Sequence, residues 1–151
     1  MEQARALVIG YGNRLRRDDA LGVSIAEGLA GEHPDATVLL VPELYPELAE
    51  PVAAADVAVF VDAREGGVEL GVTSEELLDG SCRVPWIGHI SDPRAILALA
   101  QAVYGRRPRA FLVTAPIGDT NVGVGLSAAG TSHVPRAIRA VSALLEGARA
   151  R

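Results

Sequence analysis

Three side chains capable of metal-ligand or acid–base chemistry each follow a predicted strand. Asp19 comes shortly after an apolar run at residues 6–9, Asp62 ends the apolar run at residues 57–61, and His89 follows a short predicted strand. Because the carboxyl ends of parallel strands meet at one edge of a sheet, we expect these three side chains to lie close together. Two carboxylates and an imidazole form an O,O,N donor set that suits zinc, nickel or manganese without choosing between them.

Each of these residues also has a plainer structural interpretation. An aspartate at a strand end, such as Asp62, can form a turn or cap a helix, and His89 can be a surface-loop histidine. The adjacent Asp18 and Asp19 stand at a predicted helix start, where a carboxylate caps free N–H groups and complements the helix dipole. We assign that capping role to Asp18, which leaves Asp19, pointing in another direction, to face the pocket.

The glycine turn that precedes these aspartates does not match a dinucleotide-binding fingerprint. Gly10 and Gly12 would need a third glycine where Leu15 stands, and the predicted helix starts too far from the glycines. Two adjacent acids at the helix start would also repel a pyrophosphate. Nucleotide binding is therefore disfavoured.

The remaining candidates for chemistry have structural interpretations. Cys82 is the one cysteine and has no accompanying histidine motif, so packing is its expected role. No Gly-x-Ser-x-Gly sequence is present for a serine hydrolase. Trp86 is expected in the core or as a pocket wall. His33, in a predicted surface turn, and His133, at the start of the last predicted helix, are taken as structural.

The elements that must position the three side chains alternate between strand and helix. Apolar runs predict strands, and apolar residues at helical spacing predict helices. Strands are predicted at residues 6–9, 37–41, 57–61, 84–87 and 111–113, and helices at 18–30, 46–55, 92–105 and through 134–145. Residues 64–78 are expected to form a hairpin or an irregular extension, and 115–130 a glycine-rich loop. This order predicts an α/β three-layer sandwich with a mainly parallel central sheet and helices on both faces.

The composition limits the function classes. The 151 residues are 49% hydrophobic, which predicts a single domain spanning 1–151 with a well-supplied core. A net charge of −5 argues against nucleic-acid or membrane-surface partners. The single cysteine, with no signal-peptide layout and no apolar run of membrane-spanning length, leads us to expect a cytoplasmic protein.

The chain resembles the hydrogenase maturation proteases along nearly its whole length. The specific part of the resemblance is the motif from Gly10 to Gly22, which reads Gly-Tyr-Gly-Asn-x-Leu-x-x-Asp-Asp-Ala-x-Gly. It continues through Pro42-Glu43-Leu44, Phe60-Val61-Asp62-Ala63, His89 before a helix ending Val103-Tyr104-Gly105, Phe111-Leu112-Val113-Thr114 and Gly125-Leu126-Ser127. The loop at residues 118–124 departs from the family pattern, which usually carries an aromatic residue and an acid there.

The resemblance implies an α/β endopeptidase, of the aspartic type, that removes the C-terminal extension of a nickel-loaded hydrogenase large-subunit precursor. The family's nickel-binding positions match Asp19, Asp62 and His89, which are also our candidate catalytic residues. The nickel is expected to be carried by the substrate, and zinc or cadmium could substitute in vitro. The alternative from another class is a non-catalytic, metal-binding checkpoint protein on the same fold, which would bind the precursor without cutting it.

Overall fold

The centre of the protein is a mainly parallel sheet. The computed structural model describes residues 3–78, 90 and 92–150. In these residues the strands β1 (Ala6–Tyr11), β2 (Thr37–Val41), β3 (Val57–Arg64), β4 (Thr73–Glu76) and β5 (Arg109–Pro116) form one sheet in the order β2-β1-β3-β5-β4. The neighbouring pairs β2–β1, β1–β3 and β3–β5 are parallel, and β4 runs antiparallel to β5.

Helices cover both faces of this sheet. Helices α1 (Leu21–Glu32) and α4 (Ala128–Arg149) pack on one face, and α2 (Ala49–Ala54) and α3 (Pro93–Tyr104) on the other. Alternate strand residues point to opposite faces, so Val59 joins the core under α1 and α4 while Phe60 joins the core under α2 and α3. The wholly apolar start of β3 is explained by this double coverage. The predicted three-layer sandwich is confirmed.

Helix α3 has the predicted termini. The Asp92 side chain accepts a hydrogen bond from the Arg94 N–H at 2.9 Å, and Pro93 occupies the first turn. Gly105 ends the helix with a φ of 69°, in the left-handed region that glycine tolerates best. The sequence therefore contained the local signals for both ends of this helix.

Residues 64–78 do not form a hairpin, because β5 lies between β3 and β4. The Arg64 guanidinium holds the connection in place. It donates to the hydroxyls of Thr73 and Thr114 at 2.8 and 2.7 Å, and to the carbonyls of Gly67 and Gly71 at 3.0 and 2.7 Å. These bonds join the end of β3 to β4 and β5.

Other expectations need smaller corrections. The first predicted helix begins with a 3₁₀ turn, Arg17–Ala20, before α1. The loop predicted at 115–130 is shorter, since β5 runs to Pro116 and α4 begins at Ala128. His33 is buried, with Nε2 2.8 Å from the Ser142 Oγ, and is not a surface residue. The strand predicted at 84–87 lies outside the described residues, as do Cys82 and Trp86.

Within the described part of the chain, none of the helices has both the length and the apolar character that crossing a membrane requires.

Candidate functional site

Two glycines bring the start of α1 onto the carboxyl ends of β1 and β3. A Cβ on Gly22 would strike the Val61 carbonyl oxygen and would approach the Tyr11 carbonyl oxygen to 2.6 Å. Gly12 has a φ of 148°, and a Cβ there would strike the carbonyl oxygen of Asp19. The glycine motif is thus explained by close backbone packing, which places Asp19 at the sheet edge.

Asp19 is half-buried and held by the glycine turn. Its Oδ2 accepts a hydrogen bond from the Asn13 N–H at 2.8 Å. The Asn13 side chain in turn accepts from the Leu15 N–H at 2.9 Å, which fixes the turn that presents the donor. The second oxygen of Asp19 forms no hydrogen bond with any of the described residues, so it is free to accept a ligand.

Asp62 lies in the last part of β3, where its carboxyl group is also half-buried. Burial is the largest influence and raises its pKa to about 6, although the Ala63 N–H and the nearby Tyr11 hydroxyl lower it in part. The negative charge of the other carboxylate, Asp19, raises the pKa of Asp62 further. Neither forms an ion pair with an arginine in the described part of the chain.

The Tyr11 hydroxyl is buried beside this pair. Burial raises its pKa, as do the negative charges of Asp62 and Asp92, so the phenol stays protonated. The hydroxyl lies near Asp62, but among the described residues it completes no hydrogen bond. This protonated donor is near enough to Asp62 to lower the pKa of that carboxyl group in part.

His89 lies outside the described residues, so its distance from Asp19 and Asp62 is not part of the described geometry. Ile90 forms an antiparallel bridge with Leu44, and Asp92 acts on Tyr11 through its charge. Among residues 3–78, 90 and 92–150, no group of three or more His, Cys, Asp and Glu side chains is arranged to hold a metal ion. The described donors of the predicted trio are therefore the two carboxylates.

Asp18 has a structural role, although it does not cap α1 as predicted. Its carboxylate is fully buried and accepts four hydrogen bonds: from the N–H groups of Gly118, Asp119 and Ser127 at 2.7, 2.9 and 2.7 Å, and from the Ser127 hydroxyl at 2.6 Å. Burial would raise its pKa, but these hydrogen bonds outweigh burial and the pKa is lowered. Asp18 thus fastens the loop after β5, and the start of α4, beside Asp19.

A cleft of about 230 Å³ opens next to Asp19. It is lined by Arg16, Asp19, Ala63, Glu65, Ile117 and Thr120. A second cleft of about 330 Å³ lies along the glycine turn and includes Gly12, Asn13, Leu40 and Pro42. The segment from Gly12 to Asp19 therefore borders two depressions at the carboxyl edge of the sheet.

The sequence interpretation missed several contributors to this edge. Tyr11 had a detectable signal, because it ends an apolar strand that delivers its side chain to the same edge as Asp62. Ser127 stood only within the matching segment Gly125-Leu126-Ser127, and its hydrogen bonds to Asp18, which span 109 residues, gave no local signal.

Comparison with solved structures gives extensive matches. The [NiFe] hydrogenase maturation protease HycI from Thermococcus kodakarensis superposes with a TM-score of 0.73 at 25% identity, covering 95% of this chain and 94% of that one. The hydrogenase maturating endopeptidase HybD from E. coli gives 0.70 at 25% identity, covering 95% and 93%. HybD from T. kodakarensis gives 0.73 at 21% identity, covering 93% and 99%, which at that identity supports the fold alone. No protein-family model and no curated protein matches the sequence.

Proposed function

We propose that this chain, which is similar along nearly its whole length to hydrogenase maturation endopeptidases, is a peptidase that removes a C-terminal extension from a nickel-loaded hydrogenase large-subunit precursor. The observation that carries the proposal is the position of two half-buried carboxylates at the carboxyl edge of the sheet, where Asp19 and Ala63, the neighbour of Asp62, line an open cleft. The charge of Asp19 also raises the pKa of Asp62. Like charges held together without a neutralising arginine favour a cation between them.

The proposed role of this pair is to bind the nickel ion that the substrate carries. Asp19 has one oxygen occupied by the Asn13 N–H, which fixes its orientation and leaves the other oxygen for a cation. Asp62 has one oxygen occupied by the Ala63 N–H at 2.8 Å. His89 is proposed as the third ligand on the strength of the sequence alone. Carboxylate and imidazole donors suit nickel, and also zinc, so either zinc or cadmium is expected to substitute in vitro.

Such binding would place the scissile peptide in the cleft beside Asp19. Holding a peptide next to the reacting groups converts an encounter of two molecules into a step within one complex, which lowers the entropic part of the barrier. The cleavage itself is the hydrolysis of one peptide bond by water.

The test is the intact mass of a nickel-loaded large-subunit precursor before and after incubation with the protein. We expect the loss of a short C-terminal peptide that depends on nickel and is abolished by Asp62→Asn. Asp56→Asn is the matched control, because Asp56 is a carboxylate at the opposite end of β3 that pairs with Arg5 and Arg106. This control should cleave at the wild-type rate.

Two other outcomes would overturn the proposed cleavage of this precursor. An unchanged mass with nickel-dependent co-elution of the two proteins would favour the non-catalytic checkpoint protein. An unchanged mass without association would mean that the precursor is not the substrate.

A further inference from the structure

Three aliphatic side chains stand in solvent at the edge of the candidate cleft. Leu15 is 62% exposed, Val122 is 83% exposed and Val124 is 80% exposed. Exposed apolar residues scattered singly need no explanation, but a group of them beside a functional cleft indicates a contact surface. We call these three residues the apolar rim.

The apolar rim is formed by two loops that pair with each other. Arg16 forms a parallel bridge with Gly123, in which the Gly123 N–H donates to the Leu15 carbonyl at 2.8 Å and the Arg17 N–H donates to the Gly123 carbonyl at 3.2 Å. This pairing sets Leu15 beside Val122, although the two residues are far apart in sequence. The rim is therefore one surface and not two separate loop tips.

The rim is also held in place from below. The four hydrogen bonds to Asp18 fasten both ends of the 118–127 loop, and the Asp18 N–H donates to the Asp119 carbonyl at 2.8 Å. A loop that is anchored in this way keeps its valines exposed at a fixed position. A preformed surface loses little conformational entropy when a partner binds, which is what a docking surface requires.

The rim adjoins residues that line the candidate cleft, and one of these residues is charged. Arg16 and Thr120 line the cleft and are close neighbours in sequence of Leu15 and Val122. Arg16 is exposed and, among the described residues, forms no ion pair. A partner that fits this surface presents an apolar patch with a carboxylate beside it.

We propose that the apolar rim is the docking surface for the folded body of the hydrogenase large-subunit precursor, outside the segment that enters the cleft. This inference rests on the proposed function and assigns it a partner surface. The rim binds the body of the precursor while the cleft takes its C-terminal segment. Docking on the rim therefore determines the affinity for the precursor and leaves the rate of the cleavage step unchanged.

The test compares a triple variant, Leu15→Ser with Val122→Ser and Val124→Ser, with a matched control, Val103→Ser with Leu70→Ser. Both control residues are aliphatic and 64% exposed, and neither lines the cleft. The Kd for the nickel-loaded precursor is measured by isothermal titration calorimetry, and kcat and KM are measured by mass spectrometry. We expect the triple variant to raise Kd and KM at least about tenfold, equivalent to about 1.4 kcal/mol, with kcat unchanged.

The control should bind and cleave like the wild-type protein. Wild-type Kd and KM in the triple variant, with cleavage intact, would overturn the docking surface and leave the protease assignment standing. Binding without cleavage by the wild-type protein would overturn the protease assignment. The ratio of the triple variant's Kd to the wild-type Kd would still show whether the rim is a docking surface. No binding and no cleavage by the wild-type protein would overturn both.

Discussion

Asp62 is a carboxyl group whose surroundings favour its neutral form. In the folded protein its pKa rises from the ordinary value of 3.8 to about 6, chiefly because of burial. Between these values the folded protein binds more protons than the unfolded chain, so raising the pH through this window lowers the free energy of unfolding. Above about pH 6, Asp62 is ionised in both the folded and the unfolded state, and its effect on the free energy of unfolding no longer changes with pH.

This linkage predicts a difference between the wild-type protein and Asp62→Asn in the metal-free state. The variant has no proton to lose, and its side-chain oxygen can still accept from the Ala63 N–H. We therefore expect it to gain stability relative to the wild-type protein as the pH rises from about 4 to about 6, and the gain to level off above that. Urea unfolding at a series of pH values measures the difference, and a constant difference across the range would contradict the raised pKa.

Asp18 has the opposite balance, since its ionised form is stabilised by four donors. In the wild-type protein, each group around Asp18 donates to a carboxylate oxygen. In Asp18→Asn, the amide NH₂, which is itself a donor, would face at least one of these N–H or O–H donors. We expect this variant to lose about 3 kcal/mol of unfolding free energy, as is typical when a buried charge-assisted network is broken. Chemical denaturation of the folded variant measures this loss.

Ser127→Ala is the graded comparison for Asp18→Asn. It removes the hydroxyl that donates to Asp18 and that accepts from the Gly130 N–H at 3.0 Å, but it leaves the three backbone donors to Asp18 in place. The expected loss is about 1–2 kcal/mol, the usual size for a lost helix N-cap. Equal losses in the two variants would mean that the backbone hydrogen bonds to Asp18 contribute little.

At the scale of the element, the position of α1 depends on the absence of a side chain at Gly22. Gly22 lets the first turn of the helix rest on the carbonyl groups of Tyr11 and Val61, and Gly31 in the same helix has open space where a Cβ would be. We expect Gly22→Ala to cost about 3 kcal/mol through overpacking and to reduce cleavage, because Asp19 moves with the helix. Gly31→Ala should stabilise the protein by up to about 1 kcal/mol, since alanine favours a helix.

Thermal unfolding and precursor cleavage are measured for both glycine variants, and they test whether the position of α1 depends on Gly22. A Gly22→Ala protein as stable and as active as Gly31→Ala would show that α1 tolerates displacement from the sheet.

The elements with local signals were predictable, and those that depend on distant partners were not. The run Val57–Val61 is apolar at every position, so β3 was evident from the sequence. β4 reads Thr-Ser-Glu-Glu with three exposed residues, which offers no alternation, and its place beside β5 is decided by pairing and by Arg64. The role of Asp18 depends on a loop about a hundred residues away, so its neighbours in sequence suggested a helix cap instead.

At the scale of the whole molecule, the two edges of the sheet differ in their use of charge. At the amino edge, Asp56 is neutralised by Arg5 and Arg106, and hydrogen bonds from Arg5, the largest influence, lower its pKa. At the carboxyl edge, Asp19 and Asp62 have no arginine partner among the described residues, and the pKa of Asp62 is raised. Asp19 lines the cleft at this edge, together with Ala63, the neighbour of Asp62.

This asymmetry predicts a metal-dependent gain in stability that belongs to one edge. An ion that binds only the folded protein stabilises it by about 2.7 kcal/mol at a hundred times its Kd, which raises Tm by several degrees in a domain of this size.

We expect Ni²⁺ or Cd²⁺ to raise Tm at pH 7.5 and to raise it less at pH 5, where protons compete for Asp62. Asp19→Ala and Asp62→Asn should abolish the shift. Asp56→Asn should keep it, because that carboxylate serves the opposite edge. Differential scanning calorimetry with and without the ion measures each shift, and an equal shift in Asp19→Ala, Asp62→Asn and the wild-type protein would place the metal elsewhere.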